Sequence, residues 1–581
     1  MSTPVGTSLA ELLAVPYVMD VQAVRRDDGE WVCRVSYDEL PGCVAEGRTP
    51  YEALTRLERR RVEILTELHR AGAVPSAPVR PCGSDAPSYD VSTERVTPPP
   101  TRTAGRAGGG AGPHATRGGP TMLSAEDNEI LTRVGPGTPM GELLRRYWMP
   151  AALSEELPNA GGDPVRVRLL GEDLVAFRDL NGRIGLIQEN CPHRGASLWF
   201  GRNEGSSAAP SAAADGACGL RCPYHGWQFD VDGRCIDMPS EPASSSFKER
   251  VQARAYPVHE SGGVVWAYLG PRETMTPFRD FGTDSLAPEH VMAGKTFSPC
   301  NWVQAMEGNL DTSHISWLHQ YDAISELPDD GTDKPGYNSV ETSWRIWRHD
   351  RAPRLEVHDD WYGYRYAGIR TSPNGHTHVR ITGFCVPNVT TVAAIPYRGR
   401  LSMFVPVDDE NCLRYNLVAQ KVGDMHGYGS GGNLFDVRNF PYAPQTRQGI
   451  RPRQWTAEND YLIDREAQRT QNFTGISDFN SQDLMATESM GPIYDRSQEH
   501  LGTSDRAVIR MRRILIGAAK ALAENGTPPP ALAEDGHDFR TFRSAEKILE
   551  PGEDWRILGT DDDPLVREEL LARRSTASGQ A

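Results

Sequence analysis

The 581-residue chain is short of several features that would settle its class at once. It has no apolar run of about 18 residues or more that could cross a bilayer as a helix. Its N-terminus lacks a basic stretch followed by an apolar one, so no secretory signal is evident. Cysteine is sparse. The ten present are too scattered for a disulfide framework, and the cytoplasm is the compartment these absences suggest. Positive charge is in deficit, and the formal net charge of −16 argues against nucleic acid as the main partner. No flavin- or pyridine-nucleotide-binding unit is identified, so any electrons must come from another protein.

What the chain does have is two short stretches that each pair one cysteine with one histidine, Cys191-Pro-His193 and Cys222-Pro-Tyr-His225. Two thiolates on one iron and two imidazoles on the other are the ligand set of a Rieske [2Fe–2S] cluster. Neutral imidazoles in place of thiolates remove negative charge and raise the cluster's potential. A zinc finger groups its cysteines and histidines differently, not as two mixed pairs. The neighbours Arg194-Gly195 and Gly226-Trp227 complete the strings CPHRG and CPYHGW, which resemble the Rieske family in its commonest form. That resemblance implies two ligand loops at the end of a small antiparallel β-domain. Between them, residues 204–217 are low in complexity and read as a tolerated surface insertion. Cys218 has no histidine two or three residues later and is expected to be a spare thiol.

The length allows three or four domains. Residues 1–75 form a small unit. Two β-rich runs, 17–24 and 31–36, flank an Asp-Asp-Gly turn at 27–29 and predict a hairpin. A helix follows, with Thr49 as cap, Pro50 in the first turn and Glu52 completing a capping box. Leu54, Leu57, Ile64, Leu65 and Leu68 make its apolar stripe, and Gly72 ends it. Residues 39–53 resemble the HicB-like antitoxin family, which implies a small sheet packed on one helix and a protein partner. The DNA-binding segment that some members add does not follow here, and an accessory packing domain is the plainer reading. Residues 76–121 are rich in Pro, Gly, Ala, Thr and Arg and are expected to be a disordered linker. Met122 looks like the natural start of a separate protein, whose cluster domain would cover 122–285 and whose catalytic domain 286–575. Helical segments flank 141–148. β-rich runs lie at 165–170, 174–177 and 263–269, and a second antiparallel sheet is expected from 361–371, 376–385 and 401–407. A long helix is predicted over 507–522, with Ile509, Leu515, Ile516 and Ala519 on one side.

An acceptor for the cluster's electrons lies in Glu307-Gly-Asn-Leu-Asp311-Thr-Ser-His314-Ile-Ser-Trp-Leu-His319. Two histidines and a later carboxylate can form the facial triad of a non-haem Fe(II) site, which leaves positions open for O2 and substrate. On a continuous helix Glu307, Asp311 and His314 would share one face. His319 would then lie about 140° round, so either the helix distorts or the side chains reach around for both histidines to ligate one metal.

Cluster and triad together resemble the α-subunit of Rieske non-haem iron oxygenases over almost all of 122–575. In that family the third ligand is an aspartate on a helix near the C-terminal end. Asp483 is the best match, with Asp478, Glu488 and Asp495 as rivals whose expected role is structural. The run Glu488-Ser-Met-Gly-Pro-Ile-Tyr-Asp495-Arg496, residues 137–148 and residues 237–242 resemble the phthalate dioxygenase branch. The resemblance implies an α+β multidomain chain with an antiparallel β cluster domain and a helix-grip catalytic domain. It also implies homotrimers or stacked trimers, in which Asp311 bridges His314 and His225 of the adjacent subunit. The implied reaction is O2-dependent hydroxylation of an aromatic or cyclic substrate, carboxylated or not. Electrons would come from NAD(P)H through a separate flavin- and ferredoxin-type reductase. The alternatives are a monooxygenase acting in O- or N-demethylation or natural-product tailoring, and an electron-transfer or regulatory protein with a toxin-binding N-terminal module.

Overall fold

The computed structural model describes residues 19–70, with breaks at 27–30, 38–39 and 48–49. It also describes residues 123–567, with breaks at 206–216, 243, 284–290, 322–330, 337–339, 394–398, 420–452, 454, 533–536 and 565. The expected turn at 27–29, the Thr49 cap, the Gly72 stop, the linker, Met122 and most of the 204–217 insertion lie outside these residues. The chain divides into two compact units, Met1–Ala115 and Thr116–Ala581.

In the first unit β1 (Met19–Arg25), β2 (Trp31–Tyr37) and β3 (Val44–Gly47) form an antiparallel sheet in that order. Alternation along β2 sends Val35 inward, where it packs with Leu40 and Cys43. Helix α1 (Pro50–Arg70) adds Ala53, Leu57 and Leu65 to this core, with Ile64 and Leu68 at its margin. Each fully buried leucine contributes about 1.5–3 kcal/mol relative to exposure.

The second unit opens with α2 (Ala125–Thr132) and α3 (Pro139–Arg145). Thr138 caps α3 by accepting from the Gly141 amide at 3.1 Å, and Trp148 then begins strand β4 (Trp148–Leu153). The strands that follow are β5 (Val165–Leu169), β6 (Glu172–Arg178), β7 (Ile184–Gln188), β8 (Arg202–Gly205), β9 (Cys218–Arg221), β10 (Gln228–Phe229) and β11 (Cys235–Asp237). Then come β12 (Ala255–Tyr256), β13 (Val258–Ser261) and β14 (Val264–Tyr268). They build three small antiparallel sheets, ordered β11-β10-β9-β8, β12-β7-β6-β5 and β13-β14-β4. Between the first two lies a core of Val175, Phe177, Ile187, Leu198, Leu220, Trp227 and Phe229, with Cys191 and Cys222 at its edge.

Strand β15 (Val291–Ser298) leads into α4 (Trp302–Leu310), and later α5 (Val340–His349) enters β16 (Arg354–Asp360). Strands β17 (Gly363–Thr371), β18 (Thr377–Cys385), β19 (Val389–Val392), β20 (Gly399–Pro406) and β21 (Cys412–Ala419) follow. Helices α6 (Arg465–Thr470), α7 (Phe479–Glu488) and α8 (Arg506–Asn525) and strand β22 (Ala545–Ile548) complete the order. The large sheet runs β15-β21-β20-β19-β18-β17-β16, and β22 pairs with β18. The expected α+β class with antiparallel sheets is what is found. On α8, Val508, Met511, Leu515, Ile516 and Ala519 are buried while Ile509 is only half-buried. The 508, 511, 515, 519 spacing is the better helical stripe, which is why Ile509 gives way to its neighbours. Gly526, at φ 64°, closes the helix in the left-handed conformation.

Candidate active site: a cluster cradle and a metal triad

The two cysteine–histidine stretches fold into two copies of one turn. In the first, the Cys191 amide donates to the Ala196 carbonyl at 2.8 Å and the Gly195 amide to the Cys191 carbonyl at 2.9 Å. In the second, the Cys222 amide donates to the Trp227 carbonyl at 2.8 Å and the Gly226 amide to the Cys222 carbonyl at 3.1 Å. Both turns need a left-handed residue at the same place, and Gly195 and Gly226 supply it at φ 75° and 76°. The loops bring His193 and His225 to 4.5 Å between ring centroids, with Trp227 stacked on His193 at 4.3 Å. Cys191 and Cys222 are buried, and a hydrogen bond from the Cys191 thiol holds Cys222 below its ordinary pKa. The buried Nδ1 of His225 has no hydrogen-bond partner. Facing thiols and an orphaned imidazole nitrogen are a donor set that fits a two-thiolate, two-imidazole cluster. Cys218 is buried on β9 and takes a contact from the Asn181 side chain at 3.2 Å, apart from this set.

The second site corrects one expectation. Helix α4 ends at Leu310, and Asp311 is its C-cap rather than a point on a continuing face. Asp311 then accepts from the amides of Ser313, at 2.7 Å, and His314, at 3.1 Å. This local bonding turns the chain into a short 3₁₀ segment, His314–Ser316, in place of further helix. Both histidines therefore reach one point without a distorted α-helix. Glu307, on α4 itself, faces Arg496 and Arg512 at 3.1 and 2.6 Å and is a structural ion-pair residue.

His314, His319 and Asp483 each present one donor atom, and the three atoms lie within 4.8 Å of one another. Asp483 Oδ1 is 3.0 Å from His319 Nε2 and 3.5 Å from His314 Nε2. Two imidazole nitrogens and one carboxylate oxygen, converging from one loop and one helix, fit a non-haem Fe(II) triad. Burial opposes the Asp483 charge, but His319, His314 and Arg414 outweigh it and hold the carboxyl well below its usual range. Burial likewise disfavours a charged His314, yet Asp311 and Asp483 raise its pKa. Asp311 Oδ2 lies 3.6 Å from His314 Nδ1.

The rival carboxylates are engaged elsewhere. Asp478 caps α7 through the Ser481 amide at 2.7 Å. Glu488 takes Arg453 at 2.9 Å and the Tyr461 hydroxyl at 2.7 Å, and Asp495 caps a 3₁₀ turn through Ser497. Sequence reasoning missed three neighbours. Gln482 Oε1 contacts His319 Nδ1 at 2.8 Å, while its amide nitrogen is tied to the Ile476 carbonyl and the Tyr321 hydroxyl. Phe479 stacks on His319 at 3.8 Å. Arg414 Nη1 is 3.9 Å from Asp483 Oδ2, and its buried Nε has no hydrogen-bond partner. Gln482 and Phe479 carried a faint signal, since they share α7 with Asp483. Arg414, on a distant strand, carried none. A narrow cavity beside His319 is walled by Ile315, Tyr321, Trp344 and Trp347.

A Rieske [2Fe-2S] domain model matches residues 147–253. A model described as LigXa C-terminal domain like matches residues 267–576. The phthalate 4,5-dioxygenase oxygenase subunit of Pseudomonas putida is 37% identical over 465 residues, 77% of this chain and 98% of that one. The chain belongs to the Rieske non-haem iron oxygenases. The 3-chlorobenzoate-3,4-dioxygenase oxygenase subunit of Comamonas testosteroni is 36% identical over 445 residues, 75% of this oxygenase and 97% of that one. A solved structure of Pseudomonas putida CBB5 NdmB, 18% identical, covers 70% of this oxygenase and 99% of its own chain at a TM-score of 0.44. As a Rieske oxygenase the chain works with a [2Fe–2S] cluster, a mononuclear iron, O2 and electrons passed from NAD(P)H by a reductase. The N-terminal unit falls outside both matched ranges. One stretch has the spacing of a nucleotide-binding fingerprint without the strand and helix context that would identify such a unit. Gly427-Tyr-Gly-Ser-Gly-Gly432 does have the G-x-G-x-x-G spacing, and it lies outside the described residues.

Among the described residues no helix is long and apolar enough to cross a membrane.

Proposed function

We propose that this oxygenase hydroxylates a carboxylated aromatic ring, with Cys191, His193, Cys222 and His225 holding the cluster and His314, His319 and Asp483 holding the iron. The observation that carries this is the convergence of two imidazoles and one carboxylate in a chain that also has the paired cluster turns. When bound, the cluster supplies single electrons and the mononuclear iron supplies the open positions where O2 and substrate meet. The chain's own groups do the rest. Gln482 fixes the His319 ring and its tautomer through Nδ1, leaving Nε2 for the metal. Phe479, stacked on His319, and Trp344 beside it pack the histidine side of the site with aromatic rings. Arg414 places a buried guanidinium beside Asp483, suited to a substrate carboxylate. The relatives named for phthalate and 3-chlorobenzoate act on aromatic acids, in keeping with that charge.

The electron donor is a separate flavin- and ferredoxin-type reductase. The working form is a homotrimer, or stacked trimers, in which Asp311 joins His314 of one subunit to His225 of the next. Exposed aromatics lie around both sites in support of such docking, with Phe200, Tyr224 and Phe247 near the cluster and Trp317 and Phe473 near the triad. Cluster and catalytic domains divide at residues 285–286, and the compartment is the cytoplasm. The unit at 1–75 is a HicB-like accessory domain for a protein partner. A second reading is O-demethylation. The 5,5'-dehydrodivanillate O-demethylase oxygenase subunit of Sphingobium sp. (strain NBRC 103272 / SYK-6) is 32% identical over 427 residues, 71% of this chain and 84% of that one.

The test is to reconstitute the protein with iron and a reductase and follow O2 uptake over a panel of aromatic acids and their methyl ethers. Products are read by mass spectrometry. Substrate-stimulated uptake with ring hydroxylation supports the proposal, and formaldehyde release supports demethylation. No uptake across the panel together with no bound mononuclear iron would favour the electron-transfer alternative.

A further inference from the structure

The two cluster turns share a backbone plan but differ in what braces them. Behind the first turn the Ser197 hydroxyl donates to Glu189 at 2.5 Å, and Arg166 lies against the same carboxylate at 3.2 Å. The second turn is gripped directly. Arg221, the residue before the ligand Cys222, donates through Nη1 to the Gly226 carbonyl at 2.6 Å. Gly226 follows His225, so this bond ends on the Gly226–Trp227 peptide, one residue beyond the histidine ligand.

The rest of the Arg221 fork is also engaged. Nε donates to Glu204 Oε1 at 2.6 Å, and Nη2 lies 3.0 Å from Gln228 Oε1 and 2.9 Å from Asp237 Oδ2. Gln228 is fully buried and its amide nitrogen donates to the Glu204 and Gly219 carbonyls. The Arg221 side chain is 14% exposed and that of Asp237 9%, so these charges are screened little by solvent. One cation therefore sits between two carboxylates directly against the His225 turn. Reducing the cluster adds an electron, and a nearby cation stabilises that added charge while carboxylates oppose it.

We propose that Arg221 is a positioning residue for the second cluster turn and that its balance against Glu204 and Asp237 sets the cluster's reduction potential. The inference rests on the reading that Cys222 and His225 hold the cluster. Lysine could keep the charge but not the planar fork that reaches four acceptors at once. Replacing Arg221 with a neutral side chain removes the clasp on Gly226 and takes one cation away from Glu204 and Asp237, leaving Glu204 the exposed Arg202 at 3.5 Å. The loss of the cation disfavours the reduced cluster. Neutralising Glu204 leaves the clasp in place and favours reduction.

The experiment is a spectroelectrochemical titration of the cluster in the full-length wild type, Arg221→Gln and Glu204→Gln, each scaled to bound cluster. Arg221→Gln is expected to disfavour reduction at least tenfold, about 59 mV for a one-electron couple. Glu204→Gln is expected to move the other way. If Arg221→Gln assembles no cluster, Glu204→Gln decides alone: an upward shift supports the proposal and an unchanged potential overturns it. If both variants load fully and titrate with the wild type, Arg221 is a fold residue only and the proposal fails. Absence of a Rieske spectrum from iron-replete wild type would instead overturn the cluster assignment on which the proposal rests.

Discussion

Residues 191–196 and 222–227 are two copies of one turn, each closed by the same two backbone bonds, whereas His314, His319 and Asp483 come from unlike settings. The cluster ligands sit on short local motifs whose glycines, at matched positive φ, shape the loop that presents them. The triad is assembled over distance, for His319 and Asp483 are 164 residues apart and meet where α7 packs against α4. A loop site carries its own geometry. A distributed site borrows geometry from the surrounding fold and is exposed to every element that holds its parts in place.

Substitutions that strike one site and spare the other sharpen this contrast. The largest effect is expected from Asp483→Ala. Mononuclear iron and product formation should fall to background while the visible Rieske spectrum persists, as metal analysis and absorbance would report. Retained iron would move the third ligand to Asp478, Glu488 or Asp495. Asp311→Asn comes next: both metal centres should remain, and most product formation should be lost in single-turnover assays. Normal turnover would remove Asp311 from any bridging role. Gln482→Leu should weaken iron binding or activity by about 10–100-fold, the usual cost of losing the group that orients a histidine ligand. Unchanged iron affinity would show that Phe479 stacking alone orients His319.

The smallest functional effect and a clear effect on stability are expected from Glu307→Gln. It strips two buried arginines of their shared carboxylate, a loss of about 3 kcal/mol measurable by denaturant titration. Burial raises the Glu307 pKa, but Arg496 and Arg512 more than offset this and leave it below its ordinary value of 4.5. A carboxyl depressed in this way stabilises the fold fully above its unfolded value and loses that contribution as pH falls through the folded one. Below about pH 4.5 the wild type should therefore lose stability more steeply than Glu307→Gln. Equal acid slopes would mean that the Glu307 carboxylate does not stabilise the fold through Arg496 and Arg512.

The same contrast explains what was legible in the sequence. Cys191, His193, Cys222 and His225 could be read directly because the motif is the geometry. Three strands of the large sheet, β17, β18 and β20, were legible from the β-rich runs at 361–371, 376–385 and 401–407. Asp483 was legible only by likeness to a family, since nothing in its local residues separates it from Asp478 or Glu488. Their hydrogen bonds do separate them: Asp478 caps α7 and Glu488 takes Arg453 and Tyr461. The continuous helix expected over 307–314 failed because Asp311 bonds forward to the amides of Ser313 and His314, a local competition that apolar periodicity does not register. Arg414 and Arg221 were invisible as site residues because their partners are set by strand register.

The central claim is that one chain carries a cluster and a separate mononuclear iron. The most direct measurement is iron and acid-labile sulfide per chain in protein purified without oxygen. The account predicts a ratio of iron to sulfide of about three to two. Equal amounts of iron and sulfide, with the cluster spectrum intact, would contradict it.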